Sequence, residues 1–201
     1  MTLTKVVHPE KGKFILTSNH IYIASLLASG IALLLHFILD FALSGFLAFI
    51  AILFLPTSIL TILWGWNEYY PKNYISQGSI KLSISDIIID NQKYALEDVD
   101  SLTFDINNYK GKRMRYPYAL PAGPCLAQGD NNFIRFNYKG ADIELQFLLK
   151  SNVEVKILGE YLTQLYVNGV SFAETMNGGK SYGLENLNYK EIQEYKKKQL
   201  T

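Results

Sequence analysis

The chain has 201 residues, 49% hydrophobic and 18% charged, with 19 Lys and Arg against 18 Asp and Glu and a single cysteine. That balance argues against a nucleic-acid polymer as partner, one cysteine excludes an intrachain disulfide scaffold, and so high an apolar content argues against disorder. The averages hide an asymmetry, however: from Ile21 to Trp66 the only formally charged side chain is Asp40, which removes the reading of an ordinary soluble domain.

A helix that crosses a hydrocarbon core of roughly 30 Å needs about 20 mainly apolar residues. Ile21 to Leu39 and Phe46 to Trp64 each meet that requirement, and Asp40, Ser44 and Gly45 supply the polar, flexible stretch between them. A tight two-helix transmembrane hairpin is therefore expected over residues 19–66, because helices satisfy their own backbone in lipid. A cleaved signal peptide fits poorly, since roughly 20 mostly polar residues come first and the apolar run is too long. Lys5, Lys11 and Lys13 precede the spans and Lys72 and Lys81 follow them, with none in the turn. Basic flanks stay on the cytoplasmic side, which predicts a multi-pass inner (cytoplasmic) membrane protein with residues 1–18 and the C-terminal domain both in the cytoplasm. Trp64, Trp66, Tyr69 and Tyr70 then form an aromatic belt at the inner interface. An unpaired Cys125 suits that reducing compartment.

Within the spans, Ala24 and Ala28, Ser25 and Ser29, and Ser44 and Ala48 stand at the spacing that lets helix backbones approach. Packing inside the hairpin is the plain reading, and a homo-oligomer through the same face is the alternative. His36 and Asp40 lie one helical turn apart near the outer end, where either group reaches water and a proton relay is not required. Pro56 is expected to kink the second span, with Thr57, Ser58 and Thr61 placed to hydrogen-bond the freed carbonyl.

After Pro71 the pattern changes to short alternating runs, the signature of antiparallel strands. Ile80 to Ile84, Ile87 to Ile89 and Lys93 to Leu96 read as short meander strands, with Asp90 and Asn91 as a turn. Val99 to Ile106 reads as a longer strand with Leu102, Phe104 and Ile106 on one face. Asn132 to Tyr138 and Ala141 to Leu149 form the clearest hairpin, turned at Lys139 and Gly140. Ser151 and Glu154 spell a capping box, followed by an apolar stripe through Val153, Ile157, Leu158, Tyr161, Leu162, Leu165 and Tyr166 and a stop at Asn168 and Gly169. A C-terminal extension over 170–201 ends in a helix from about Asn188, with Glu191 capping it and Ile192 and Tyr195 facing inward.

This order resembles the pleckstrin-homology-like domains of bacterial membrane proteins in which a helical hairpin precedes the domain. The resemblance is carried by Leu82-Ser83-Ile84, Ile87-Ile88-Ile89, Tyr94-Ala95-Leu96, Asp98-Val99, the strand pair and the capping helix. It implies a membrane-anchored α+β chain in which residues 75–169 form a PH-like antiparallel β-barrel closed by a C-terminal capping helix, used in the wider family to bind lipids or proteins. It transfers no functional residues, and Tyr109 to Asp130 departs from a simple meander.

All three histidines, His8, His20 and His36, precede the strand-rich domain, which therefore has no imidazole base or ligand. Cys125 lacks an activating neighbour in sequence and reads as a plain loop or core thiol. Gly178-Gly179-Lys180-Ser181 echoes the end of a phosphate-binding loop, but the first glycine of that motif would fall at Glu174. Asp98, Asp100 and Asp105 fit a solvated strand face, and Lys196, Lys197 and Lys198 a solubilising helix end. The most suggestive stretch is a basic, aromatic loop in which Lys110, Lys112, Arg113, Arg115 and Tyr116 are candidates to hold a phosphate or lipid headgroup, with a solvated loop tip as the bland alternative. No catalytic constellation, metal site or cofactor is expected. The leading expectation is a non-enzymatic inner-membrane protein that presents its cytosolic domain to anionic lipid or protein. The alternative is a cyclic-nucleotide-gated two-transmembrane effector, similar in layout to those of bacterial anti-phage signalling systems.

Overall fold

The computed structural model describes residues 1–7, 14–38, 41–114, 122–181, 183–184, 188, 190–191, 193–194 and 197. The chain divides into two compact units, one built from Met1–Gly12, Lys72–Lys112 and Ala127–Thr201, the other from Lys13–Pro71 and Arg113–Leu126.

The first unit is a mixed nine-stranded sheet with a helix packed on it. In chain order its strands are β1 (Thr2–Val7), β2 (Ile75–Leu82), β3 (Asp86–Ile89), β4 (Gln92–Ala95), β5 (Val99–Ile106), β8 (Asn132–Tyr138), β9 (Ala141–Leu148), β10 (Ala173–Met176) and β11 (Gly179–Lys180). Two further strands, β6 (Lys110–Arg113) and β7 (Leu126–Gln128), form a separate two-stranded sheet, and Leu126 also bridges Tyr69. The large sheet runs in the order β11-β10-β5-β8-β9-β1-β2-β3-β4. Turn chemistry sets the register: Asp90 and Asn91, Lys139 and Gly140, and Asn177 and Gly178 all have positive φ, as two-residue hairpin turns require. Gly178-Gly179-Lys180 is thus the β10–β11 hairpin and not a phosphate loop.

The expected antiparallel barrel is corrected to an open, mixed sheet. Among the described residues β4 pairs only with β3, β10 adds to β5 in parallel, and no ladder joins the two edges. A 3-10 turn at Leu96–Asp98 carries the chain from β4 to β5 without pairing them. The sheet curls far enough for Tyr94 of β4 to meet Phe136 and Tyr138 of β8 edge-on, at 5.5 and 5.0 Å between ring centroids. Strand β1 has no counterpart in the sequence reading: it lies between β2 and β9, pairing Leu3 with Ile80 and Lys5 with Phe147.

Helix α3 (Asn152–Val167) packs on the inner face, where Leu158, Leu162 and Leu165 join Ile80, Phe104, Ile134 and Phe147 in one core. Two residues of the expected stripe, Val153 and Ile157, are exposed, and Val155 is buried instead. The Ser151 hydroxyl accepts from the Glu154 amide at 3.4 Å, while Glu154 reaches back to the Lys150 amide at 2.6 Å, one residue earlier than a standard capping box. Asn188 and Glu191 make the second capping exchange, at 2.7 and 3.0 Å. Ile192, Tyr195, Lys196 and Lys198 lie outside the described residues.

The second unit contains two helices packed on each other, α1 (Ser18–Ile38) and α2 (Phe41–Gly65). Among the described residues α1 is the helix long and apolar enough to cross a membrane. Its buried positions are small, Ser18, Ser25, Ser29 and Ala32, whereas Leu27, Ile31, Leu34 and Phe37 are exposed. The Ser25 and Ser29 pair therefore packs inward and Ala24 is exposed. Helix α2 runs through Pro56, and the nearby hydroxyls bind carbonyls other than the one proline frees: Thr57 and Ser58 donate to Phe54 O and Thr61 to Ser58 O. Asp40 lies outside the described residues, so its relation to His36 is not described.

Candidate functional site

Beyond Gly65 the chain turns through Trp66 and Asn67 to Glu68, which organises the polar end of the second unit. Its carboxylate accepts from the Ser18 amide at 3.0 Å, placing negative charge at the start of α1, where the helix dipole favours it. Its carbonyl accepts from the Cys125 and Leu126 amides at 3.1 and 3.0 Å. Segment 122–126 is thereby seated against the end of α2, and the Ser18 hydroxyl donates to Ala122 O. The seat explains Gly65: a Cβ there would come within 2.6 Å of Ala122 O and 2.7 Å of Gly123 O. The Met114 amide donates to Cys125 O at 2.8 Å, so residues 113–114 run alongside 125.

A cavity of about 330 Å3 opens there, lined among the described residues by Trp66, Arg113, Met114 and Cys125. The Arg113 side chain is exposed and takes part in no ion pair with a described carboxylate. A guanidinium with no carboxylate partner among the described residues, on a cavity that an indole also lines, offers bidentate donors to a phosphate and an apolar wall to whatever carries it.

Of the other basic-loop candidates, Lys110 lies on β6, its amide bonded to Leu149 O at 2.9 Å. Lys112 turns into the sheet unit, where its ammonium donates to Asn107 O at 2.8 Å and to Asn177 Oδ1. It has a structural task there, holding the β10–β11 turn to the end of β5. Arg115 and Tyr116 lie outside the described residues. Arg113 is thus the candidate that lines a cavity; Trp66, 47 residues away and read as part of an aromatic belt, and Cys125, 12 residues away and read as a plain thiol, were not joined to it in sequence because the backbone bonds that gather them run through Glu68.

In the sheet unit a groove of about 600 Å3 is lined by Ile84, Lys93, Leu96, Glu97 and Val170, among others. Asp86 borders it, its carboxyl held below the usual range by the Ser85 hydroxyl and then by Lys93. On the outer face Arg135 bridges Asp105 and Glu144, the latter at 2.6 Å, and Asp105 also accepts from Thr175. Asp105 is therefore engaged in a network across four strands, β10, β5, β8 and β9, and Asp98 meets Lys139 at 3.6 Å. Burial pushes the Glu174 carboxyl upward. Among the described residues no group of three or more His, Cys, Asp or Glu is placed to hold a metal ion. Comparison with protein-family models, with curated proteins and with solved structures found no match to this chain.

Proposed function

We propose that this chain is a non-enzymatic inner-membrane protein whose α1 and α2 cross the bilayer as a hairpin and hold the sheet unit at the cytosolic face, where it contacts anionic lipid or a protein partner. One observation carries the reading: β1, which precedes both apolar helices, is hydrogen-bonded to β2, which follows them. A chain that leaves a folded unit and returns to it crosses a bilayer an even number of times, so α1 as a span requires a second span, and α2 supplies one of 25 residues. The same pairing argues against a cleaved leader, whose loss would take β1 with it. Lys5, Lys72 and Lys81 flank the helices and favour the cytoplasmic side. The curled meander covered by a single amphipathic helix is the part of the pleckstrin-homology-like pattern that supports a binding role.

The test is membrane extraction and topology of the full chain. It should resist alkaline carbonate, and a reporter fused after Thr201 should be active only when cytosolic. Release by carbonate, or a periplasmic reporter, would reject the proposal.

A further inference from the structure

We propose that the cavity formed by Trp66, Arg113, Met114 and Cys125 is a site for the phosphodiester headgroup of an anionic phospholipid; this rests on the membrane reading above. Three features of the second unit converge on it. Trp66 follows directly on the last turn of α2, and both it and Trp64 are exposed, as expected of indoles at headgroup level. The Arg113 guanidinium stands on that cavity without a carboxylate partner among the described residues, and phosphate is the anion whose geometry it matches with two parallel bonds. The walls are built before any ligand arrives: Met114 N–H to Cys125 O and Cys125 N–H to Glu68 O tie both sides of the cavity to the end of α2. At about 330 Å3 the space lies within the roughly 300–1,000 Å3 typical of small-ligand sites. Met114 and Trp66 offer apolar contact to the glycerol and upper acyl carbons, while Arg113 takes the phosphate. Of the five candidates in the sequence pattern, Lys110, Lys112, Arg113, Arg115 and Tyr116, the site keeps Arg113 and adds Trp66, Met114 and Cys125.

Cys125 makes the test direct, because it is the only thiol in the chain and lines the cavity. The full chain is reconstituted in vesicles of phosphatidylcholine alone or with one part in about three of phosphatidylglycerol, and the rate of Cys125 alkylation by the uncharged reagent N-ethylmaleimide is followed. Phosphatidylglycerol is expected to slow the reaction about fivefold, a factor matching one basic side chain at an anionic surface. Arg113→Gln, at an exposed position, should abolish that difference, and Trp66→Leu should reduce it. Equal rates in the two vesicles, or protection that survives Arg113→Gln, would overturn the proposal. Protection in phosphatidylcholine by inorganic phosphate or by cyclic di-adenosine monophosphate would overturn it in favour of a soluble ligand. Carbonate extraction of the same vesicles separates the two claims: a retained chain with unprotected Cys125 defeats the headgroup site alone, whereas an extractable chain defeats the membrane reading as well.

Discussion

Glu174 occupies an unusual position for a carboxylate, on β10 against the core strand β5 and only 4% exposed. Its Oε1 accepts from the Leu184 amide at 2.9 Å, while Oε2 has no hydrogen-bond partner among the described residues. Desolvation raises its pKa, opposed by the Leu184 amide and the Ser181 hydroxyl. A folded-state pKa above the unfolded one means that folding favours the proton. The stability this group contributes is therefore greatest below its ordinary value of 4.5 and falls as pH rises through the raised one. Glu174→Gln keeps the acceptor for Leu184 and removes the titration. Its melting temperature in detergent should exceed that of the parent near pH 7, with the gap closing towards about pH 4; parallel curves would refute the assignment. Gly78 presents the opposite case, a residue whose absent side chain matters. It has φ +87°, and a Cβ would collide with the Asp90 carboxylate, which accepts from Ser79 N–H and pairs with Lys5 at 2.6 Å. Gly78→Ala should cost about 1–2 kcal/mol from backbone conformation alone, and more through the displaced carboxylate, as read from chemical denaturation.

Helix ends are where single elements are most open to test. The start of α1 borrows its cap from Glu68, 50 residues away in sequence. Glu68→Ala should destabilise the second unit by about 1 kcal/mol and speed amide exchange at Ser18, whereas Glu68→Gln, which retains an acceptor without charge, should lose roughly half of that. Unchanged exchange in both variants would show that the contact does not hold the helix. At α3 the two halves of the capping exchange differ in length, 3.4 Å from the Glu154 amide to Ser151 and 2.6 Å from the Lys150 amide to Glu154. Both Ser151→Ala and Glu154→Ala should cost about 0.5–2 kcal/mol, the latter more, in equilibrium unfolding. The legibility of these elements in sequence was uneven for a physical reason. Val99–Ile106 and Asn132–Tyr138 were readable to the residue because alternation and two-residue turns are local properties. The Glu68 cap was not, because nothing in the stretch before Ser18 signals a carboxylate arriving from the far end of α2.

For the whole molecule, β1 decides most. Placed between β9 and β2, it is, among the described residues, the only strand that joins the β2-β3-β4 meander to the rest of the large sheet. Removing residues 1–7 should therefore leave two half-sheets with exposed edges and make the chain more sensitive to proteases in detergent than the parent chain. A truncated chain that resists to the same degree would mean that the curled core, not the ladder, holds the halves together.

From composition and periodicity alone came the apolar run bounded at Trp66, the meander and its turns, the capping helix and the basic stretch around Arg113. Each is encoded by residues within a turn or two of one another. Folding decided what depends on distant partners: that the first strand inserts into the middle of the sheet, that the sheet stays open and mixed, and that Lys112 is spent on Asn107 and Asn177. It also brought Arg113 beside Trp66 and Cys125, because backbone bonds to Glu68 and Met114 draw together segments some 50 residues apart whose association no local pattern records.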